Sequence, residues 1–184
     1  NTASNVLNSF DEVEDFCLTA SSEFSTTRKS VNCREYFRDL VSEIQTNYGT
    51  DKSSFRLLVD KNVPEEASLH YETIKSTLNS LVTEIKNAIP ECQTTIMVSS
   101  KSEEKKYDIE IRDLILTIET DSSLPFTWSE SWLESIRENK TKLLSSGFNL
   151  LKARDAVRKS GGYLSVLKKE NGTKGFELEI PLSY

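Results

Sequence analysis

The stretch Leu69–Ile89, LHYETIKSTLNSLVTEIKNAI, decides how the rest of this chain can be arranged. Its apolar residues recur mostly three or four positions apart, which places them on one stripe of an α-helix. Pro90 follows directly and cannot continue that helix. A helix this long and amphipathic needs a broad apolar partner, and a sheet is the best candidate. The polar face is predicted to carry Lys75, Asn79, Glu84, Lys86 and Asn87.

Before this stretch the pattern predicts two further helices and one strand. The segment Val6–Phe24 repeats apolar residues at helical spacing and is acidic on its other face. A second helix is predicted over Arg34–Tyr48, with Asn32 as its N-cap and Gly49 at its end. The β-branched and apolar run Phe55–Val59 predicts a short strand.

After Pro90 the pattern changes from the helical period to the alternation typical of strands. Clustered strands with few βαβ crossovers indicate an α+β fold, a two-layer α/β sandwich whose mixed sheet carries its helices on one face. The predicted strands are Thr94–Ser99, Tyr107–Glu119 (as one long strand or two shorter ones), Tyr163–Lys169 and Phe176–Leu182. The predicted helices are Trp132–Asn139 and Phe148–Lys159, the latter ended by Gly161 and Gly162, and loops are predicted over Ser100–Lys106 and Thr120–Ser131.

Charge and hydropathy exclude several classes of partner. The 184 residues carry 23 basic and 29 acidic side chains, a formal net charge of −6, without a basic tract. Such a chain is a poor nucleic-acid binder, so no nucleic-acid partner is expected. The sequence contains no run of eighteen apolar residues, so direct membrane insertion of these 184 residues is not expected either.

Cysteine and histidine are too sparse for the common catalytic and metal sites. The three cysteines, Cys17, Cys33 and Cys92, are widely spaced and form neither a metal-ligand pattern nor a disulfide framework. Free thiols predict a cytoplasmic or other reducing compartment, and leave open a parent protein that is membrane-anchored or organellar. His70 is the only histidine, which excludes multi-histidine metal sites and argues against a Ser/His or Cys/His nucleophile. His70 is interpreted as a boundary residue in the first helical turn, with a lone base or a phosphorylated histidine as alternatives.

The segment Gly161–Leu182 resembles the last hairpin of the catalytic domain of sensor histidine kinases. It has the double glycine, a strand, a glycine-containing turn, a strand with Phe176 and a final Pro-Leu. Three earlier segments match in order: Leu57–Pro64, Leu78–Ile89 and Leu114–Leu124. The N-terminal part resembles the end of a dimerisation helix and its linker. The resemblance therefore divides the chain into residues 1–30, a dimerisation-type helix and linker, and residues 31–184, the kinase-like ATPase-fold domain.

The resemblance implies a fold shared with gyrases, some chaperones and mismatch-repair ATPases, in which ATP lies between helices and a lid. Asn87 matches the asparagine that holds Mg²⁺, and an amide oxygen is a suitable hard ligand. Asp121 matches the aspartate that accepts a hydrogen bond from the adenine amino group. Gly147 is the one glycine left of the motif that cradles the phosphates.

The departures from the family pattern fall on these same motifs. Where the family reads Asp-x-Gly-x-Gly, this chain reads Asp-Ser-Ser-Leu-Pro over residues 121–125. Where it reads Gly-x-Gly-Leu-Gly, this chain reads Ser-Ser-Gly-Phe-Asn over residues 145–149. A Cβ obstructs the close approach of backbone to a nucleotide, so both changes weaken a phosphate cradle. Four positions before Asn87 the family usually has asparagine or a similar polar residue; Thr83 stands there in this chain, and Glu84 lies one position further on.

These losses predict a degenerate, pseudokinase-type domain that acts in two-component-type signalling through protein–protein interaction. No catalytic residue is assigned, enzyme activity is not expected, and no cofactor is expected. The alternative is a functional domain that binds ATP and Mg²⁺ and phosphorylates a histidine on a dimerisation helix; a phosphotransfer or scaffold protein that binds a response-regulator receiver is a further alternative. The predicted partners are a second copy of the chain, a kinase or a receiver domain.

The aromatic residues Phe126, Trp128 and Trp132 form a separate candidate cluster in the lid region. Exposed tryptophan often anchors an interface, so a partner-binding site is one interpretation. The others are a filling for the vacated nucleotide pocket and a small satellite core beneath a loop.

Overall fold

The computed structural model describes residues 27–48, 54–102, 112–124, 148–170 and 172–182. Its helices are α1 (Cys33–Asn47), α2 (Tyr71–Ala88) and α3 (Phe148–Lys159). Its strands are β1 (Lys29–Asn32), β2 (Phe55–Val59), β3 (Glu66–Leu69), β4 (Thr94–Ser102), β5 (Arg112–Thr120), β6 (Tyr163–Lys169) and β7 (Gly172–Leu182).

The main sheet has five strands in the order β2-β4-β5-β7-β6. Strand β2 pairs with β4 in parallel, and each remaining neighbour pairs antiparallel, so the sheet is mixed. Strands β1 and β3 form a separate antiparallel pair. The α+β fold with a mixed sheet is confirmed.

The alternation of side chains along the central strands sets the position of the core. On β5, Leu114, Leu116 and Ile118 are fully buried, while the residues between Leu114 and Thr120 that point the other way are half-buried. Strands β4 and β7 alternate in the same way over most of their length, so one face of the sheet is apolar. This face forms a single apolar cluster with the buried stripes of all three helices.

The first helix begins where its cap predicts. The Asn32 side chain accepts a hydrogen bond from the backbone N–H of Glu35 at 3.1 Å, which satisfies one of the free donors of the first turn. The predicted stop at Gly49 lies outside the described residues, as do the helices predicted over Val6–Phe24 and Trp132–Asn139.

Helix α2 begins two residues later than predicted. It was expected to include Leu69 and His70, but Leu69 ends strand β3 and pairs with Lys29 of β1, and His70 takes the N-cap position. Strand β3 is only four residues long, too short for its alternation to outweigh the helical pattern that follows. Its alternate residues Ala67 and Leu69 are buried because the strand packs against β1 and the core.

Two side chains assigned to the polar face of this helix are buried instead. Glu84 is 6% and Lys86 is 7% exposed. The Lys86 ammonium donates to the carbonyl oxygen of Cys92 at 2.6 Å and lies 4.7 Å from the ring centroid of Phe55. A long aliphatic stem explains how a lysine can be buried while its ammonium group is partnered. The prediction for these two residues was wrong because residues distant in the sequence contact them: Cys92 and Phe55 contact Lys86, and Asn149 of α3 contacts Glu84.

The last hairpin is longer than expected at one end. Strand β7 begins at Gly172, not Phe176, and the added residues pair with β6 across a register shift at Leu167 and Lys168. Similarly, β4 continues to Ser102, through the first residues of the predicted loop. Cys33 and Cys92 are buried free thiols, and Cys17 lies outside the described residues. Among the described helices, none is long and apolar enough to cross a membrane.

Candidate functional site

A polar trough follows the solvent side of α2 and ends at the first turn of α3. Its volume is about 350 Å³. The helix supplies residues at three- and four-residue spacing, which is why they share one face. The lining residues are Glu72, Lys75, Ser76, Asn79, Ser80, Thr83 and Asn149.

The buried carboxylate of Glu84 joins the two helices at the end of this trough. The Asn149 side-chain amide donates a hydrogen bond to Glu84 Oε1 at 2.7 Å. Asn149 lies in the first turn of α3, so its side chain holds the start of that helix against α2. A hydrogen bond between an amide and a buried carboxylate is stronger than one between neutral groups. We call this contact between Glu84 and Asn149 the α2–α3 seam.

Sequence reasoning placed Glu84 with the solvent-facing residues, although a signal for its burial existed. Glu84 follows Leu81 by three positions and Thr77 by seven, and both of these residues are buried. That spacing puts all three residues on neighbouring parts of one helix face. The prediction gave more weight to the charge of Glu84 than to its position in the helical pattern.

Thr83 is bound to its own protein neighbours. Its hydroxyl donates to the carbonyl oxygen of Asn79 at 2.7 Å. A hydroxyl has one proton, so the short hydrogen bond between Thr83 Oγ1 and the Tyr48 hydroxyl has Tyr48 as its donor. This contact ties the end of α1 to α2.

The predicted magnesium ligand Asn87 is solvent-exposed in the last turn of α2. Its neighbour Lys86 turns into the core, and Asn87 therefore projects on the outer side of the helix end. The structure brings Glu84, rather than Asn87, together with the first turn of α3.

The predicted adenine ligand Asp121 follows β5 and is exposed. Its carboxylate oxygen Oδ1 accepts from the backbone N–H of Gln93 and from the Ser122 hydroxyl, both at 3.1 Å. Its own N–H donates to the carbonyl oxygen of Gln93 at 3.1 Å. Asp121 therefore fastens the end of β5 to the residue that precedes β4.

The remaining predicted site residues are Gly147, Phe126, Trp128 and Trp132, and all four lie outside the described residues. In the parts of the chain that the structure describes, no group of three or more His, Cys, Asp or Glu side chains could hold a metal ion. Burial raises the pKa of the Cys33 thiol above its ordinary value, so this cysteine is a neutral core residue near pH 7.

Similarity to solved structures lies in the fold rather than in the sequence. No protein-family model matches the chain, and no curated protein matches it. The catalytic domain of histidine kinase ThkA superposes with a TM-score of 0.54 at 18% identity, over 85% of this chain and 96% of that one. The mycobacterial sensor histidine kinase MprB gives a TM-score of 0.52 at 13% identity, over 85% and 98% of the two chains.

Two longer structures match over more of this chain. Full-length ShkA in complex with AMPPNP gives a TM-score of 0.61 at 12% identity, over 97% of this chain and 36% of that one. ThkA in complex with the response regulator TrrA gives 0.58 at 20% identity, over all of this chain and 50% of that one. The described chain thus has the α+β fold of histidine kinase catalytic domains.

Proposed function

We propose that this chain is a degenerate histidine-kinase-like domain that binds nucleotide weakly or not at all and works through protein partners. The observation that carries the proposal is the α2–α3 seam. There, the buried carboxylate of Glu84 is held by the side chain that stands in place of a phosphate-motif glycine, Asn149.

The electrostatics of the seam oppose a triphosphate. A carboxylate that is 6% exposed is poorly screened by water, and it repels phosphate oxygens brought close to it. A helix N-terminus otherwise favours an anion through its free N–H groups. At α3 this advantage is offset, because a carboxylate from α2 already lies at the first turn of the helix.

The other two positions are also engaged by the protein itself. Thr83 bonds with Asn79 and Tyr48, and Asp121 bonds with Gln93 and Ser122. A nucleotide that used these groups would compete with the contacts that they already make. These contacts support weak or absent nucleotide binding, and we assign the chain no phosphoryl-transfer step.

A role in two-component-type signalling follows from the fold and from one neighbour. The matched ThkA structure contains the response regulator TrrA, so a kinase of this fold binds a receiver-type protein. We propose the same kinds of partner here: a receiver domain, a kinase or a second copy of this chain. The predicted helix within residues 1–30 would supply the pairing surface for a second copy, and residues 31–184 the kinase-like domain.

The alternative is a working ATP-binding domain, and Glu84 itself is the observation that favours it. Mg²⁺ in phosphate sites is commonly bound through one or two carboxylates, so a freed Glu84 could replace the amide ligand. In this alternative Asn87, Asp121 and Gly147 keep the roles that the resemblance implies, with ATP and Mg²⁺ as cofactors.

Calorimetric titration with ATP and Mg²⁺ tests the two functions. The chain, Asn87→Ala, and the double variant Glu84→Asn with Asn149→Gly are compared, with Glu91→Gln, an exposed position, as control. We expect no heat from the unaltered chain at millimolar ATP, and measurable binding by the double variant. Micromolar binding by the unaltered chain that Asn87→Ala abolishes would establish the alternative.

A further inference from the structure

A second groove, separate from the α2–α3 seam, lies between α1 and the start of α2. Its volume is about 300 Å³. Its lining includes three acidic residues of α1, Glu35, Asp39 and Glu43, together with Tyr36 and Tyr71. We call it the α1 groove.

The carboxylates form a regular series. Glu35, Asp39 and Glu43 are four residues apart, so successive members share one helix face and are spaced by about 6 Å along the axis. Glu43 is paired with Lys75 at 2.8 Å. Among the described residues, Asp39 forms an ion pair with its chain neighbour Arg38 at 3.5 Å. Both side chains are more than two-thirds exposed, so water weakens that pair.

The two tyrosines of the groove lining pack against each other, and one of them contacts a cation of the chain. The rings of Tyr36 and Tyr71 lie 4.7 Å apart, and the Tyr36 hydroxyl donates to the Tyr71 carbonyl oxygen at 2.9 Å. The ammonium group of Lys29 lies 5.1 Å from the Tyr71 ring centroid, within the range of a cation–π contact. Lys29 is not part of the groove lining, whereas Lys75 lines the groove and pairs there with Glu43. Both an aromatic ring and a carboxylate of this surface therefore already contact cations of the chain.

We propose that the α1 groove binds a basic helical segment of a partner protein, with arginine or lysine at four-residue spacing. Such a helix presents its cations at the same interval of about 6 Å as the carboxylates of α1. Arginine suits the site best, because it pairs with carboxylates through two N–H groups and stacks on aromatic rings.

Charge excludes the N-terminal segment of this chain as the occupant. Residues 1–26 contain five acidic side chains, at positions 11, 12, 14, 15 and 23, and no lysine or arginine. The proposal concerns a surface that does not depend on nucleotide binding, so it stands or fails separately from the proposed function.

Fluorescence anisotropy with a labelled peptide tests the proposal on the full chain. The probe is an alanine-based helix of about 16 residues with arginine at every fourth position. A second peptide of the same composition has its arginines adjacent in sequence. It measures binding that does not depend on the spacing of the arginines. Both are titrated at about 150 mM salt, where interactions beyond about 8 Å are largely screened.

The discriminating variant is Glu35→Lys with Asp39→Lys, and its matched control is Glu91→Lys with Glu170→Lys. Each pair makes the same change in net charge at exposed positions. We expect the groove variant to bind the probe at least about tenfold more weakly, and the control to bind within about twofold of the unaltered chain. If charge reversal disturbs the fold, Glu35→Gln with Asp39→Asn provides the same comparison.

Three results would overturn the proposal. The first is no binding of the probe below millimolar concentration. The second is equal loss in the groove and control variants, and the third is equal affinity for the two peptides. The last two would mean that net charge, rather than the spacing of the α1 carboxylates, attracts basic chains.

Discussion

The β6–β7 hairpin and the α2–α3 seam differ in their use of glycine. In the hairpin, a Cβ at Gly175 would lie 1.7 Å from the backbone oxygen of Ile118, and one at Gly162 would lie 2.3 Å from that of Glu179. Both positions therefore require glycine for the sheet to close. At the seam, the resemblance places Asn149 at the position of a phosphate-motif glycine, and the Asn149 side chain bonds with a neighbouring helix.

The difference separates two uses of glycine. Where the protein's own backbone must approach closely, this chain has glycine. Where only a ligand would need the space, we propose that a side chain with contacts inside the protein stands instead of glycine, as at Asn149. On this proposal the chain meets the requirements of the fold but not those of a nucleotide, as expected when function resides in a site placed on the fold.

Gly175→Ala should give the largest effect. The added methyl group would overlap the backbone of β5, and relief requires strand β7 to move away from its central partner. We expect a loss of more than about 4 kcal/mol in the free energy of unfolding, or failure to fold. Urea unfolding measures it, with Ser165→Ala in β6 as control. A loss below about 1 kcal/mol would contradict the contrast between hairpin and seam.

Asn149→Ala should give the next largest effect. It removes the donor to a buried carboxylate, and we expect a loss of about 1–3 kcal/mol in the free energy of unfolding. Ser76→Ala in the same trough is the control. A double-mutant cycle with Glu84→Ala, which removes the acceptor, isolates the contact, and a coupling energy near zero would show that the seam does not stabilise the fold.

A third prediction concerns α1 and the dependence of stability on pH. Burial, followed by the nearby Tyr71, Glu72 and Glu43, raises the pKa of Tyr36 above its ordinary value of 10. The folded state keeps the phenol neutral while the unfolded chain ionises, so stability should be constant below about pH 10 and fall above it by up to about 1.4 kcal/mol per pH unit.

The variant Tyr36→Phe should lack that part of the alkaline loss, although it also loses the hydrogen bond to Tyr71. Unfolding is measured in urea at several pH values between 8 and 11, with Tyr163→Phe, an exposed position, as control. Parallel pH profiles for Tyr36→Phe and the unaltered chain would contradict the assignment.

Asp121→Ala should give the smallest effect. Its carboxylate accepts hydrogen bonds at an exposed strand end, so its loss should cost about 0.5–1 kcal/mol. Asp121→Asn keeps an acceptor oxygen and should cost less. Thermal unfolding of the two variants checks this order, and a larger loss for Asp121→Asn would show that the charge matters more than the acceptor.

Much of the fold could be predicted from local patterns. The cap at Asn32, the strand Phe55–Val59, the helix Phe148–Lys159 and the alternation in the central strands appear in the structure as expected. Strand β3 could not be predicted, because a four-residue alternation is too short without the partner strand that pairs with it. The placement of Glu84 and Lys86 was wrong because their burial depends on neighbours distant in the sequence.

By itself, the sequence determined the fold class, through two periods that local chemistry sets: 3.6 residues where helices pack and two where strands alternate. It also determined which residues stand where the resemblance implies phosphate-motif glycines, since the presence of a Cβ is a property of each residue. Only the tertiary structure decided which polar side chains meet. Glu84 pairs with Asn149, 65 positions away, and Tyr71 lines the same groove as the acidic residues of α1. Both arrangements depend on how the helices pack, which no local pattern specifies.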